Sequence, residues 1–305
     1  MAAGIQANAF KTSTSPDAGY VNPIVYDANL RKHMYDSELF RFLGRTDLSQ
    51  LDMAGKQVNI AIEDGWTAGA LTEGTETPVS AYGASQATIT FAAYGDAKQF
   101  SEEELIVAMR DVQKNLLYNA TAALGVRRDV SIVTELMTTT SADYYGNGNA
   151  HDDSDVASGD ILKASDIRKI VRDSKDNQSG GIDKIVLHPF VVYDLTSDTQ
   201  LIQGQLDERT SREISLTGYV TSYAGVRIYE SNRIQTATEN SLTVYKNIAL
   251  GRNEPFVFMP KKAPVYEFDN EYARARALTF HYWEMYGVSI VVEDAVRIIT
   301  TTATA

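Results

Sequence analysis

The residue types that most often carry chemistry are sparse in this chain, and none stands in a working pattern. The four histidines are His33, His151, His188 and His281, and no two stand at ligand spacing on one element. His33 and His188 read as packing or surface residues rather than metal ligands. The run His151-Asp152-Asp153-Ser154-Asp155 is dense in oxygen ligands. It lacks calcium-loop spacing, because Ala157 stands where a ligand should and Gly159 is misplaced. It reads as a solvated acidic loop. Gly83-Ala84-Ser85-Gln86-Ala87 has the outline of a nucleophile elbow but ends in alanine, with no strand before it and no helix after it. Phosphate loops and dinucleotide fingerprints are absent from the sequence. So is cysteine, which removes disulfides, Cys-ligated zinc, iron–sulfur clusters and thiol catalysis and fits a reducing cytosol. No catalytic, metal-binding or cofactor-binding residue is assigned, and no cofactor is expected.

Charge points the same way. The formal net charge is −12 over 305 residues, whereas a protein built to grip phosphates is normally basic. Arg127, Arg128 and Lys114 could face nucleic acid, but a solvated helix face paired with nearby acids is the favoured reading. Asn119-Ala120-Thr121 and Asn177-Gln178-Ser179 match glycosylation acceptors by chance, since Met1-Ala2-Ala3-Gly4 opens no secretory signal. The most apolar stretch, Ala277 to Val292, is broken by His281, Glu284 and Gly287. It falls short of the roughly 18 apolar residues a membrane helix needs. A soluble protein made and used inside a cell is expected.

The elements that would position any function are clearer. Residues 1–22 are small, polar and aperiodic, and read as an arm. Asp27 can cap a short helix ending at Gly44. Lys56 to Glu63 and Thr88 to Tyr94 alternate apolar and polar residues at period two, with a Gly- and Thr-rich stretch between them. They predict a two-stranded ribbon. Such a hairpin is marginal alone, so something outside it must cover Ile60, Ile62, Ile89 and Phe91. Ser101 and Glu104 form a capping box opening a long helix to Met137. Its apolar stripe is Leu116, Ala120, Ala123, Val126, Val130, Val133 and Met137. Ser165 caps a helix to Lys175, Ile182 to Leu187 is a strand, and Pro189 opens another helix. The stretch from Gln200 to Ser215, with Asp207, Glu208, Arg209 and Arg212, reads as an exposed charged loop. The last third is strand-rich. It begins with a hairpin turned at Tyr223-Ala224 and ends with a pair joined near Gly287 and a strand from Val296 to Ile299. Phe280, Tyr282, Trp283 and Tyr286 are expected to pack a sheet on the long helix.

This order of elements resembles the major capsid proteins of tailed bacteriophages, the Hong Kong 97-type fold. Thr217-Gly218-Tyr219-Val220 leading to Tyr223-Ala224-Gly225-Val226-Arg227-Ile228 resembles one segment of that family. Tyr286-Gly287-Val288-Ser289-Ile290 with Asp294-Ala295-Val296-Arg297-Ile298 resembles its C-terminal strands. The resemblance implies an α+β fold with an N-terminal arm (1–28), then an N-terminal helix and linker (29–55). An extended loop (56–100), a spine helix with the first part of a peripheral domain (101–163), an α/β axial domain (164–262) and the return strands of the peripheral domain (263–305) would follow.

It also implies a structural, non-enzymatic protein that assembles with itself into hexamers and pentamers of an icosahedral head enclosing double-stranded DNA. Ile60, Ile62, Ile89 and Phe91 would then meet an adjacent subunit, and the loop bearing Asp207, Glu208, Arg209 and Arg212 would gather at the capsomer axis. With no charged helical segment ahead of the arm, a separate scaffolding protein is expected. A portal is implied as well, with room for a decoration protein, non-specific proximity to packaged DNA and no membrane partner. The expected location is the virion capsid, after assembly in the host cytoplasm. Lys56 reads as a solvated edge residue, and no cross-linking is inferred. On sequence alone, other readings stay open: an encapsulin-like nanocompartment shell, a hydrolase or metal-dependent enzyme, and a β-rich binding module.

Overall fold

A computed structural model of the chain describes residues 38–52, 54–63, 83–101, 112–140, 144–146, 156–157, 159–176, 181–197, 219–252, 254–271 and 277–303. The chain divides into two compact units. The smaller takes in Ala92–Arg128 and Lys261–Tyr286 with the residues up to Glu38, and the larger takes in Leu39–Phe91, Asp129–Pro260 and Gly287–Ala305.

The larger unit is built on a sheet. In chain order its short strand β1 (Arg45–Thr46) is followed by the ribbon strands β2 (Gln57–Glu63) and β3 (Ala84–Thr90). Among the described residues the main sheet has seven strands. They are β5 (Tyr144–Tyr145), β6 (Ile182–Leu187), β7 (Tyr219–Tyr223), β8 (Val226–Glu230), β9 (Thr236–Glu239), β10 (Leu242–Gly251) and β13 (Val296–Thr301). Their order is β5-β13-β10-β6-β8-β7, and β9 pairs with β10. All six residues of β13 are buried, which means that both faces of the strand are covered. Helices α2 (Ala164–Asp176) and α3 (Pro189–Thr196) enclose one core with β6 and β8, through Ile167, Ile170, Val191 and Leu195 against Ile185, Leu187 and Ile228. Local chemistry fixes the ends. The Asp166 carboxylate accepts from Lys163 N at 2.9 Å. His188 caps α3, Nδ1 accepting from Phe190 N at 3.4 Å, and Pro189 follows where its missing N–H costs nothing. The β7–β8 turn holds Ala224 and Gly225 at positive φ (54° and 83°), as a tight hairpin requires.

Asn247 pins the middle of this sheet. Fully buried, its Oδ1 accepts from His188 N at 2.9 Å, and its Nδ2 donates to Ile299 O at 3.2 Å and Thr301 Oγ1 at 2.9 Å.

In the smaller unit β4 (Ala92–Ser101) pairs antiparallel with β12 (Ala277–Ile290), from Ala92 opposite Tyr286 to Ser101 opposite Ala277. Strand β11 (Phe256–Glu271) lies on the other side of β12. An aromatic cluster builds the core: Phe280 lies 4.8 Å from Phe268 and 5.8 Å from Tyr282 between ring centres, and Tyr94 stacks on Tyr286 at 4.6 Å. Phe280 and Tyr286 are buried, while Tyr282 and Trp283 are half-buried.

The long helix α1 spans Val112–Leu136. It gives its first seventeen residues, 112–128, to the smaller unit and the remainder to the larger. Three expectations change here. Ser101, expected as the helix cap, ends strand β4, and Glu102 to Asp111 lie outside the described residues. The strand expected over Thr88 to Tyr94 is broken at Phe91, so the ribbon proper is β2 and β3 and the chain beyond it joins another sheet. Gly287 is no turn: β12 runs straight through it.

Candidate assembly surface

The ribbon has two unlike faces. Its register sets Gln57 opposite Thr90, Ile60 opposite Ala87 and Ile62 opposite Ser85. Alternation along each strand therefore puts Gln57, Asn59, Gln86, Thr88 and Thr90 on one face, and Val58, Ile60, Ile62, Ala87 and Ile89 on the other. The first is a polar ladder, with Gln57 Nε2 donating to Thr90 Oγ1 (3.2 Å), Thr88 Oγ1 to Asn59 Oδ1 (3.0 Å) and Asn59 Nδ2 to Gln86 Oε1 (3.4 Å). The second is apolar and unevenly covered. Ala87 and Ile89 on β3 are buried, and Val58, Ile60 and Ile62 on β2 are half-buried.

This corrects the grouping of Ile60, Ile62, Ile89 and Phe91 as one contact with a neighbour. Ile89 is 0% and Phe91 4% exposed, both enclosed by their own chain. Gly287 is the reason. A Cβ there would stand 2.8 Å from Thr90 O and 3.3 Å from Phe91 Cδ1, so only glycine lets β12 come this close. Phe91 N then donates to Lys56 O at 3.1 Å and closes the ribbon base. Alternation names the inward face of a strand but not the molecule that covers it.

The stripe predicted for the long helix is rotated. Ala120 and Val133 are buried, Leu116, Ala123, Val126 and Met137 are half-buried, and Val130 is 37% exposed. Leu124, Ile132 and Leu136, none of them in the predicted stripe, are buried. They fall in a four-residue ladder with Arg128 in its middle, and a charged residue there hid the pattern from a hydrophobic count. Arg128 is buried too. Its Nε donates to Glu284 Oε1 at 2.9 Å, a second nitrogen also pairs with that carboxylate, and a third reaches Glu38 Oε2 at 3.3 Å. Burial opposes the guanidinium charge, but Glu284 and Glu38 outweigh it and hold the pKa above the ordinary value. Arg128 therefore faces neither solvent nor nucleic acid. Arg127 is exposed and stacks 4.8 Å over the Tyr94 ring.

Asp129, the next residue, is also buried, and its two oxygens accept from Leu39 N and Phe40 N, each at 3.0 Å. His188 is half-buried, and burial lowers its pKa. His281 is half-buried on β12. Ser85 sits exposed as the second residue of β3, within the strand and without the turn an elbow needs. Asp207, Glu208, Arg209, Arg212, His33 and the His151–Asp155 run lie outside the described residues. Among the described residues no helix is long and apolar enough to cross a membrane.

Solved structures share this arrangement over nearly its whole length. The capsid of Ralstonia phage GP4 superposes with a TM-score of 0.72 at 11% identity, covering 92% of this chain and 95% of that one. The capsid of cyanophage P-SCSP1u gives 0.66 at 12% identity over 97% and 98%. The capsid of a native GTA particle gives 0.65 at 9% identity over 97% and 100%. The fold is the Hong Kong 97 type of tailed-phage capsid proteins. No protein-family model and no curated protein sequence matches the chain. At these identities the likeness is one of fold, carried by the order and pairing of elements.

Proposed function

We propose that this chain is the major capsid protein of a tailed phage, a structural subunit that acts by associating with copies of itself into hexamers and pentamers of an icosahedral head. One observation carries the reading: a capsid fold matched at TM-score 0.72 over 92% of this chain and 95% of its counterpart. The mechanism is association and not catalysis. The ribbon lays its half-buried Val58, Ile60 and Ile62 against the adjacent copy, while Ile89 and Phe91 anchor it to its own. Each such contact is small, so misplaced subunits can leave, and the sum over many contacts makes a closed shell durable. The charged loop with Asp207, Glu208, Arg209 and Arg212 is assigned to the capsomer axis. The domain limits in this reading are an arm (1–28), a helix and linker (29–55), the extended loop (56–100), the spine (101–163), the axial domain (164–262) and the return strands (263–305). A separate scaffolding protein, a portal and a decoration protein are its proposed partners. The acidic subunit meets packaged DNA without gripping it. Assembly takes place in the host cytoplasm and the product resides in the virion capsid.

The test is sedimentation velocity of the wild-type chain beside Ile60→Asp/Ile62→Asp. The wild type is expected to form ring-sized oligomers or shells, and the variant to stay monomeric with unchanged far-ultraviolet circular dichroism. Oligomers of wild-type size and yield from the variant would remove the ribbon from the contact.

A further inference from the structure

We propose that Arg297 is an anion receptor, whose guanidinium takes an oxyanion from outside the chain, a phosphate or a carboxylate. The side chain itself carries this, independently of the shell reading. Arg297 is 4% exposed, and its Nε is buried without an acceptor. Among the described residues its side chain has no ion pair and no hydrogen bond. Register explains how it comes to be buried. Arg297 lies opposite Ala249, Ala249 opposite Ile185 and Ile185 opposite Ile228, and the last three are all 0% exposed. The arginine therefore stands in a row of the sheet that otherwise carries the core, in a strand whose six residues are all buried. Its place in that row is at the rim. Strand β5 covers the outer side of β13 only at Ile299 and Thr300, and no strand lies beyond Arg297 among the described residues.

Guanidinium groups keep their charge in proteins, and a buried one without a counter-charge is strongly destabilising. The same chain shows the alternative. Arg128, also buried, is met by Glu284 and Glu38. No such pair is built at Arg297. Of the acids nearest it in sequence, Glu293 accepts from Thr140 Oγ1 at 3.0 Å and Asp294 is exposed, both on the turn that precedes β13. The planar fork of an arginine matches the oxygens of a carboxylate or a phosphate. Two sources share that chemistry: a free inorganic anion, and an acidic side chain of a second copy. The second source is plentiful, because the chain carries 40 acidic residues against 28 basic ones.

The experiment compares the full-length wild type with Arg297→Met, which keeps an apolar stem and removes the charge. Both are melted with and without inorganic phosphate at matched ionic strength, and both are run in sedimentation velocity across a concentration series. Without phosphate, Arg297→Met is expected to melt at or above wild type, because the charge it removes has no partner in the chain. With a free anion as ligand, phosphate at about a hundred times its dissociation constant raises the wild-type melting temperature by about 5 °C and leaves the variant unmoved. With a second copy as the source, phosphate moves neither protein, and the variant's oligomerisation threshold rises at least about tenfold. Two results would overturn the receptor. One is a variant that melts clearly below wild type without phosphate, which would show that the chain itself pairs Arg297. The other is a variant equal to wild type in both phosphate response and threshold.

Discussion

Arg128 brings a full charge into the smaller unit, where Glu284 and Glu38 answer it. Cutting one partner from a buried pair leaves the other uncompensated, which typically costs about 3–5 kcal/mol. Arg128→Met should therefore lower stability on that scale, as read by urea denaturation, although methionine fills much of the same space. Position 130 makes the contrast. Because Val130 is 37% exposed, Val130→Asp should change stability by no more than about 0.5 kcal/mol, whereas Ile132→Ala on the buried ladder should cost about 2–5 kcal/mol. Equal effects at the two sites would show that the helix face is wrongly assigned. His188 adds a pH dependence. Burial lowers its folded pKa, so on acidification the unfolded chain takes up the proton first. The penalty is absent above an ordinary histidine pKa of about 6.5, grows as pH falls through it, and levels off once the folded form is protonated as well. The urea midpoint should drop more between about pH 7 and about pH 5 in wild type than in His188→Asn, which keeps an acceptor for Phe190 N.

At the scale of elements, the ribbon base depends on Gly287. Gly287→Ala would push a methyl against Thr90 O, and overpacking of this kind typically costs about 1–3 kcal/mol. Hydrogen exchange should quicken at Ile89 and Phe91 while the amides of β10 and β13 stay protected; unchanged exchange at the ribbon base would contradict the anchoring. The sequence made the ribbon strands, the α2–β6–α3 succession and the β7–β8 hairpin legible, because alternation, caps and turn residues are local signals. What it hid was non-local. Gly287 looks like a turn in one dimension and proves to be a close approach between distant segments. The true stripe of α1 runs through Arg128 and Asp129, whose burial makes sense only once Glu284, Leu39 and Phe40 are placed beside them. Asn247 had no sequence signal, since its partners at His188, Ile299 and Thr301 are far away in the chain.

For the whole molecule, an apolar ribbon face is half covered by its own chain, in a fold shared with phage capsids. A monomer could leave single apolar residues exposed without consequence. Here they coincide with a fold shared with phage capsids, which supports the proposal that the subunit is completed by its copies. Negative-stain electron microscopy of the purified chain tests it most directly, with concentration raised until association or precipitation begins. Closed shells of uniform size, or the five- and six-membered rings that build them, are the expected result. A field of dispersed monomers at every concentration would contradict it.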